Sequence, residues 1–298
     1  MIPMVSFAFS EGVTLHCPKN GRFSFFNSPY YAHSHFTGVD VYPPPKTWYG
    51  APAPSPVDGE IVGVKPIGYF ANRNFNFSEK DYVVLLRCFE NPDRVVKILH
   101  VKPSVSVGDE VKAGEMLGFY LRSGFFHFWT DPHVHVEVRD PNDALRARGG
   151  FRIHRTLPIA EDAEPLEKLS GTVIYCRPEY MLISLEEEPT YGLTVNVNGE
   201  IGILEGGIPQ YGFFGVHLNS SPKPGGDVIL CGKKIGTIKS VFGNMGIAEF
   251  SSLKPYLNGE RIHLSLYIYF QNPLLKIVPR KPGEINLREG EKVEITFH

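Results

Sequence analysis

The chain alternates far more than it cycles. From Asp131 to Val138 it reads Asp-Pro-His-Val-His-Val-Glu-Val. His133, His135 and Glu137 share one parity, and Val134, Val136 and Val138 share the other. Successive side chains of a strand point to opposite faces, so this stretch is a strand with a valine face in the core and two imidazoles on the other. Upstream, Val39 and Val41 flank Asp40, which places Asp40 across a strand from its valines. Pro43, Pro44 and Pro45 end that strand, because proline supplies no ladder donor. Tyr82 to Phe89 and Arg94 to Val101 are further strand runs, with His100 near the end of the second. Asp140 to Asp143 close the late strand, and residues 143–148 form a brief helix.

Beyond residue 170 the pattern returns in Gly171–Ile174, Met181–Leu185, Gly192–Val197 and Phe213–Leu218. Ile262, Leu264, Leu266, Ile268 and Phe270 make one late face, and Val293, Ile295 and Phe297 another. Helical periods of ten residues or more are nearly absent, so the fold class is mainly β throughout. Residues 155–169 are acidic and carry Pro158 and Pro165, which marks a linker. The expected organisation is two sandwich-like or barrel-like β domains, 1–154 and 170–298.

A spacing recurs. Gly108-Asp109, Gly114, Leu117 and Gly118 match Gly226-Asp227, Gly232, Ile235 and Gly236 in separation, and Gly59-Glu60-Ile61 parallels Gly171-Thr172-Val173. Two copies of one β unit are expected, the second as a degenerate repeat of the first. Only the first copy carries histidines around its strands, so any metal site belongs to the first domain.

Composition narrows the function. The chain has 298 residues, 42% of them hydrophobic, which suits two ordinary domains with real cores. Thirty basic against 32 acidic residues leave a net charge of -2, and no basic surplus points to nucleic acid or an anionic membrane. The four cysteines form no CxxC pair, so neither a disulfide scaffold nor a thiolate zinc site is indicated. No run of 18 apolar residues exists, and the first eleven residues lack the basic flank of a secretion signal. A cytoplasmic protein is expected, or a secreted one whose leader was removed. Nothing in the sequence fixes an oligomeric state.

Four polar signals then fall within about 100 residues: a histidine-rich approach to Asp40 (His33 and His35), His100, His133 and His135. Catalytic zinc takes three protein ligands from imidazole and carboxylate and keeps one position open. Further neutral imidazoles beside it can take a proton or steady an oxyanion.

In their order and spacing, residues 33 to 139 resemble the lysostaphin-like zinc metallopeptidases. The resemblance rests on Asp40 after a histidine and a glycine, the turn at Asp58-Gly59 after a proline, and the lone His100 after an apolar strand. It rests also on the run Gly108-Asp109-Glu110-Val111-Lys112-Ala113-Gly114-Glu115-Met116-Leu117-Gly118 and on His133-Val134-His135. The resemblance implies a duplicated-hybrid-motif fold for the first domain. It also implies a zinc-dependent endopeptidase that cleaves a peptide, such as a cell-wall peptide, through a metal-activated water. By it, Asp40 and His135 are metal ligands, and His100 and His133 are the catalytic histidines that bind no metal.

The departure is at the first ligand. The family's spacing points to position 36, which here is Phe36. Either irregular backbone lets His35 bind, the account favoured on sequence, or His33 takes its place, or the site is lost. His127, in Gly124-Phe125-Phe126-His127-Phe128-Trp129, adds bulk where the family has small residues, and that bulk narrows a substrate groove. The alternatives in other classes are an inactive metal- or peptide-binding protein on the same fold, for which Phe36 speaks, and a structural or assembly protein.

Overall fold

A computed structural model describes residues 1–68, 73–158, 163–187 and 189–298. The protein is mainly β, and its chain forms two compact units. The first holds Met1–Phe23 and Tyr30–Leu157; the second holds Ser24–Pro29 and Pro158–His298. The second unit thus claims a short segment from far upstream. Within it, the Phe25 amide donates to both carboxylate oxygens of Glu205 (2.9 and 3.0 Å), and Asn27 Nδ2 donates to Ser265 Oγ at 2.8 Å. The expected linker lies partly outside the described residues. Its Leu166 and Leu169 are buried in the second unit's core. Part of the Phe70–Lys80 stretch, which reads as a loop, also lies outside the described residues.

In the first unit the strands are β1 (Met4–Ser10), β2 (Val13–Pro18), β3 (Arg22–Ser24), β4 (Val39–Tyr42), β5 (Pro52–Pro54), β6 (Gly59–Gly68) and β7 (Lys80–Cys88). They continue with β8 (Val95–Leu99), β9 (Val101–Pro103), β10 (Glu110–Val111), β11 (Met116–Tyr120), β12 (Val134–Arg139) and β13 (His154–Arg155). One sheet runs in the order β10-β6-β7-β8-β12-β4-β3, with β13-β1-β2 and β5-β11-β9 as smaller sheets. β12 lies between β8 and β4 and is buried on both faces. Val134, Val136 and Val138 face the core as their parity requires. The polar parity is buried as well, which an amphipathic surface strand would not show. Two expectations fail locally. After β12 comes a single 3-10 turn over Pro141–Asp143, not a helix over 143–148. Among the described residues, the one α-helix is the four-residue α1, Tyr31–Ser34, in what reads as a polar approach to a strand.

The second unit closes two rings of six hydrogen-bonded strands. One contains Leu193–Val197, Glu200–Ile208, Phe213–His217, Asp227–Leu230, Lys233–Phe242 and Met245–Phe250. The other contains Leu169–Cys176, Met181–Leu185, Pro255–Leu257, Glu260–Leu266, Leu274–Pro279 and Lys292–Phe297. Closure gives each strand of a ring a hydrogen-bonded neighbour on both sides, so neither ring ends in an edge strand.

The recurring spacing has a physical cause, and it occurs three times. The Gly108 amide donates to Ile61 O, and the Ile61 amide returns to Asp109 O, both at 2.8 Å. Gly225 and Gly226 make the same exchange with Ile238, and Gly290 and Glu291 with Val173, at 2.8 and 2.9 Å. Each glycine that opens the exchange has φ between +84° and +95°, the third position of a type II turn. In each copy the paired strand bulges one residue after its Ile or Val. Spacing alone aligns Gly108 with Gly226, one residue late. It also assigns that turn to the Gly171 strand, which is in fact served by Gly290. The glycine two residues before each Ile or Val is required by close approach. A Cβ on Gly59 would lie 2.5 Å from Arg87 O, and one on Gly236 2.5 Å from Glu249 O. Gly59→Ala is therefore expected to destabilise the first unit by about 1–3 kcal/mol through forced backbone displacement, read as a lower midpoint of denaturant unfolding.

Candidate metal centre

Register brings the site together. His135 on β12 pairs directly with Asp40 on β4, and residues directly opposite on one face have neighbouring side chains. His135 Nδ1 lies 2.8 Å from Asp40 Oδ1. His133, two residues earlier on the same face, points Nε2 at Asp40 Oδ2 from 3.7 Å. Gly38 makes room: a Cβ there would meet His135 Cε1 at 2.7 Å and the Ala32 methyl at 2.8 Å.

His33 completes the group. It rides on α1 and is 2% exposed, with Nε2 3.5 Å from Asp40 Oδ1. His33, Asp40 and His135 each offer one ligand atom, and these atoms lie within 4.8 Å of one another. Of the two histidines the sequence offers, His33 is the one brought to Asp40 and His35, the one favoured on sequence, is not. His35 is exposed, stacks on the Tyr31 ring at 3.7 Å, and its Nδ1 bonds to Tyr31 O and Ser34 Oγ. The reason is the helical turn. His33 stands seven positions before Asp40, and the turn of α1 spans the interval and brings the ring back to the carboxylate. The turn ends in a Schellman arrangement, with Phe36 at φ +62° and the Thr37 amide donating to Ala32 O at 2.9 Å. Phe36 is 4% exposed, so its ring packs inward while its backbone reverses the chain. The position that departs from the family pattern is the helix terminator.

The electrostatics follow from burial and pairing. Burial would raise the Asp40 carboxyl, but His33, His133 and His135 outweigh it and hold it well below the carboxylate range. Burial would lower His135, but hydrogen bonds to Asp40 and Glu137 raise it to about 9. Its Nε2 meets Glu137 Oε1 at 3.3 Å. Burial would raise Glu137 too, but its bond to His135 and the Lys97 ammonium outweigh that and hold it at about 2. Lys97 Nζ and Arg139 Nη1 each donate to it at 2.8 Å. An imidazole whose second nitrogen rests on a carboxylate is the usual support of a metal ligand. Burial pushes His133 down to about 4, so at neutral pH the ring is neutral. Its Nδ1–H donates to Asp131 O at 2.9 Å, which leaves Nε2 as an acceptor facing Asp40.

His100 enters from the end of β8 with φ +71°, and its ring centroid lies 5.1 Å from that of His133. Phe126 covers both rings, with centroids 4.6 Å from each, and is 4% exposed. His127 stands apart, stacked on Trp129 at 4.5 Å. Sequence reasoning misses three contributors. Glu137 is legible by its parity with His135. Tyr42, whose hydroxyl donates to Asp40 Oδ2 at 3.4 Å, is legible by its parity with Asp40. Asp81, whose Oδ2 meets His100 Nδ1 at 2.5 Å, gives no signal, since 19 residues and a strand pairing separate the two. The arrangement can hold one cation between two imidazoles and a carboxylate, with two further imidazoles alongside.

Residues 14–155, a span that includes every residue of this centre, match the family described as Domain of unknown function (DUF8155) N-terminal domain. No curated protein matches the chain. Among solved structures the chain is similar to the NMR solution structure of lysostaphin, at 15% identity and TM-score 0.28, over 92% of this chain and 94% of that one.

Proposed function

We propose that the first unit is a zinc-dependent peptide hydrolase. The observation that carries this reading is the convergence of His33, Asp40 and His135 within 4.8 Å, with His133 and His100 on the same surface. Two imidazoles and one carboxylate form the donor set of a catalytic zinc with a position to spare. Zinc held there would acidify a bound water and polarise the carbonyl under attack. The other duties fall to the chain itself. Asp40 gathers His33 and His135, and Glu137 holds the far nitrogen of His135. His133, neutral and with Nε2 open, accepts a proton. His100, one ring further and tied through Nδ1 to Asp81, presents Nε2 to the site, where it can take up a proton and pass it to a leaving amine. A cell-wall-like peptide is the substrate class that the sequence motifs imply. Among the described residues no helix is long and apolar enough to cross a membrane.

A second reading, a metal- or peptide-binding protein without turnover, is favoured by one observation: Phe126 lies against the two histidines that catalysis would use. Mass-spectrometric scoring of a mixed peptide pool and of purified wall peptides incubated with zinc-loaded protein separates the two. Cleavage that vanishes in His133→Ala supports the hydrolase. Bound zinc with intact peptides in every condition supports the binding protein.

A further inference from the structure

Asp81 is buried to 1% exposure at the start of β7 and accepts three hydrogen bonds, two of them from His100. Its Oδ1 takes the backbone amides of His100 (3.0 Å) and Tyr82 (2.7 Å). Its Oδ2 meets His100 Nδ1 at 2.5 Å. A carboxylate has no proton to give here, so His100 Nδ1 must be the donor. The same group holds the His100 backbone in the left-handed conformation that swings the ring out of β8.

We propose that Asp81 is the positioning residue of His100: it fixes the neutral ring in the Nδ1–H form and leaves Nε2, with its lone pair, for the site. The hydrolytic role of this dyad rests on the peptidase reading above; the fixed tautomer does not. Which nitrogen a catalytic histidine presents is set by what the other one bonds. Asp81 makes its bonds to His100 and the residues around it, not to the three metal ligands, so its effect is exerted through His100.

Asparagine at this position distinguishes orientation from mere filling of space. The two backbone amides on Oδ1 require an oxygen, so in Asp81→Asn the new side-chain amide nitrogen must take the place of Oδ2. It then donates to His100 Nδ1 and drives the ring proton to Nε2, which reverses what the site receives.

The test uses the full chain, isotopically labelled and loaded with zinc. Two-bond nitrogen–proton spectra are recorded at a pH where the ring is neutral, and the His100 signals are identified by their absence in His100→Gln. We expect the Nδ1–H pattern in the wild type and the Nε2–H pattern in Asp81→Asn, at unchanged zinc content. Where a cleaved peptide is in hand, kcat is expected to fall on the order of 100-fold or more at little changed KM. An Nε2–H pattern in the wild type overturns the proposal even if the variant does not fold, and so does the same tautomer in both proteins. A tautomer switch in a protein that cleaves no peptide supports the hold of Asp81 on His100 and overturns the peptidase reading alone.

Discussion

Replacing His33, Asp40 or His135 by alanine is expected to empty the protein of zinc, while His35→Ala leaves it loaded. The measurement is metal per chain after purification and dialysis, with about one zinc expected in the parent. Groups that support a metal ligand from behind are worth about 10–100-fold in affinity, so removal of a direct ligand should exceed that. The contrast between His33 and His35 is the sharp part. The two are alike in kind and nearly so in position, yet one lies 3.5 Å from Asp40 and the other stacks on Tyr31 in solvent. Thermal unfolding gives a second reading of the same events. Zinc at about a hundredfold excess over Kd stabilises the folded state by about 2.7 kcal/mol, which raises the midpoint of a unit this size by roughly 5–10 °C. That rise should appear in the parent and in His35→Ala and be absent from the three ligand variants. A His35→Ala protein that loses zinc, beside a His33→Ala protein that keeps it, would dismiss the assignment.

The second large effect separates binding from chemistry. His133→Ala and His100→Ala are expected to keep zinc and lose peptide cleavage by on the order of 10²–10⁴-fold, the usual worth of a positioned acid or base. His133 is tied to Asp131 O through Nδ1 and is kept neutral chiefly by burial, so it arrives as a proton acceptor at any pH above about 4. His100 is tied to Asp81 instead. Steady-state kinetics on one peptide, with zinc content checked on the same samples, decide the matter. Loss of zinc in either variant would make the histidine a ligand, and unchanged kcat would remove it from the mechanism.

The parts of this site that lie on regular strands are legible in the sequence, and the parts on irregular backbone are not. His133, His135 and Asp40 declare their faces by alternation with valines, because period-two geometry is rigid. Their meeting depends on the pairing of β12 with β4, which two alternating runs permit without dictating. His33 is undervalued on sequence because Tyr31–Thr37 looks like the approach to a strand and is a single helical turn. Four residues are too few for a period of 3.6 to be read. Phe36 looks like a lost ligand because the resemblance expects one at that position; its role as helix terminator is hidden because a bulky aromatic seldom sits at positive φ, and tertiary burial is what keeps it there. The glycine spacing marks a recurring turn, and it attaches that turn to the wrong strand, since a turn says that it pairs without saying with which ladder. Asp81 is beyond reach for the same reason, as its partner is chosen by the sheet.

The brevity of α1 has a consequence in time. Asp40 and His135 are carried by paired strands inside a sheet and move only when that sheet opens. His33 is carried by one helical turn with no side-chain cap at Tyr30, an element with no persistence of its own in water. Its hold comes from the buried Phe36 and from whatever Nε2 binds. An ion seated here would leave in sequence, released first by the turn and only then by the strands, so its residence time would track the opening frequency of Tyr31–Thr37. The centre is thus durable on two sides and has a latch on the third.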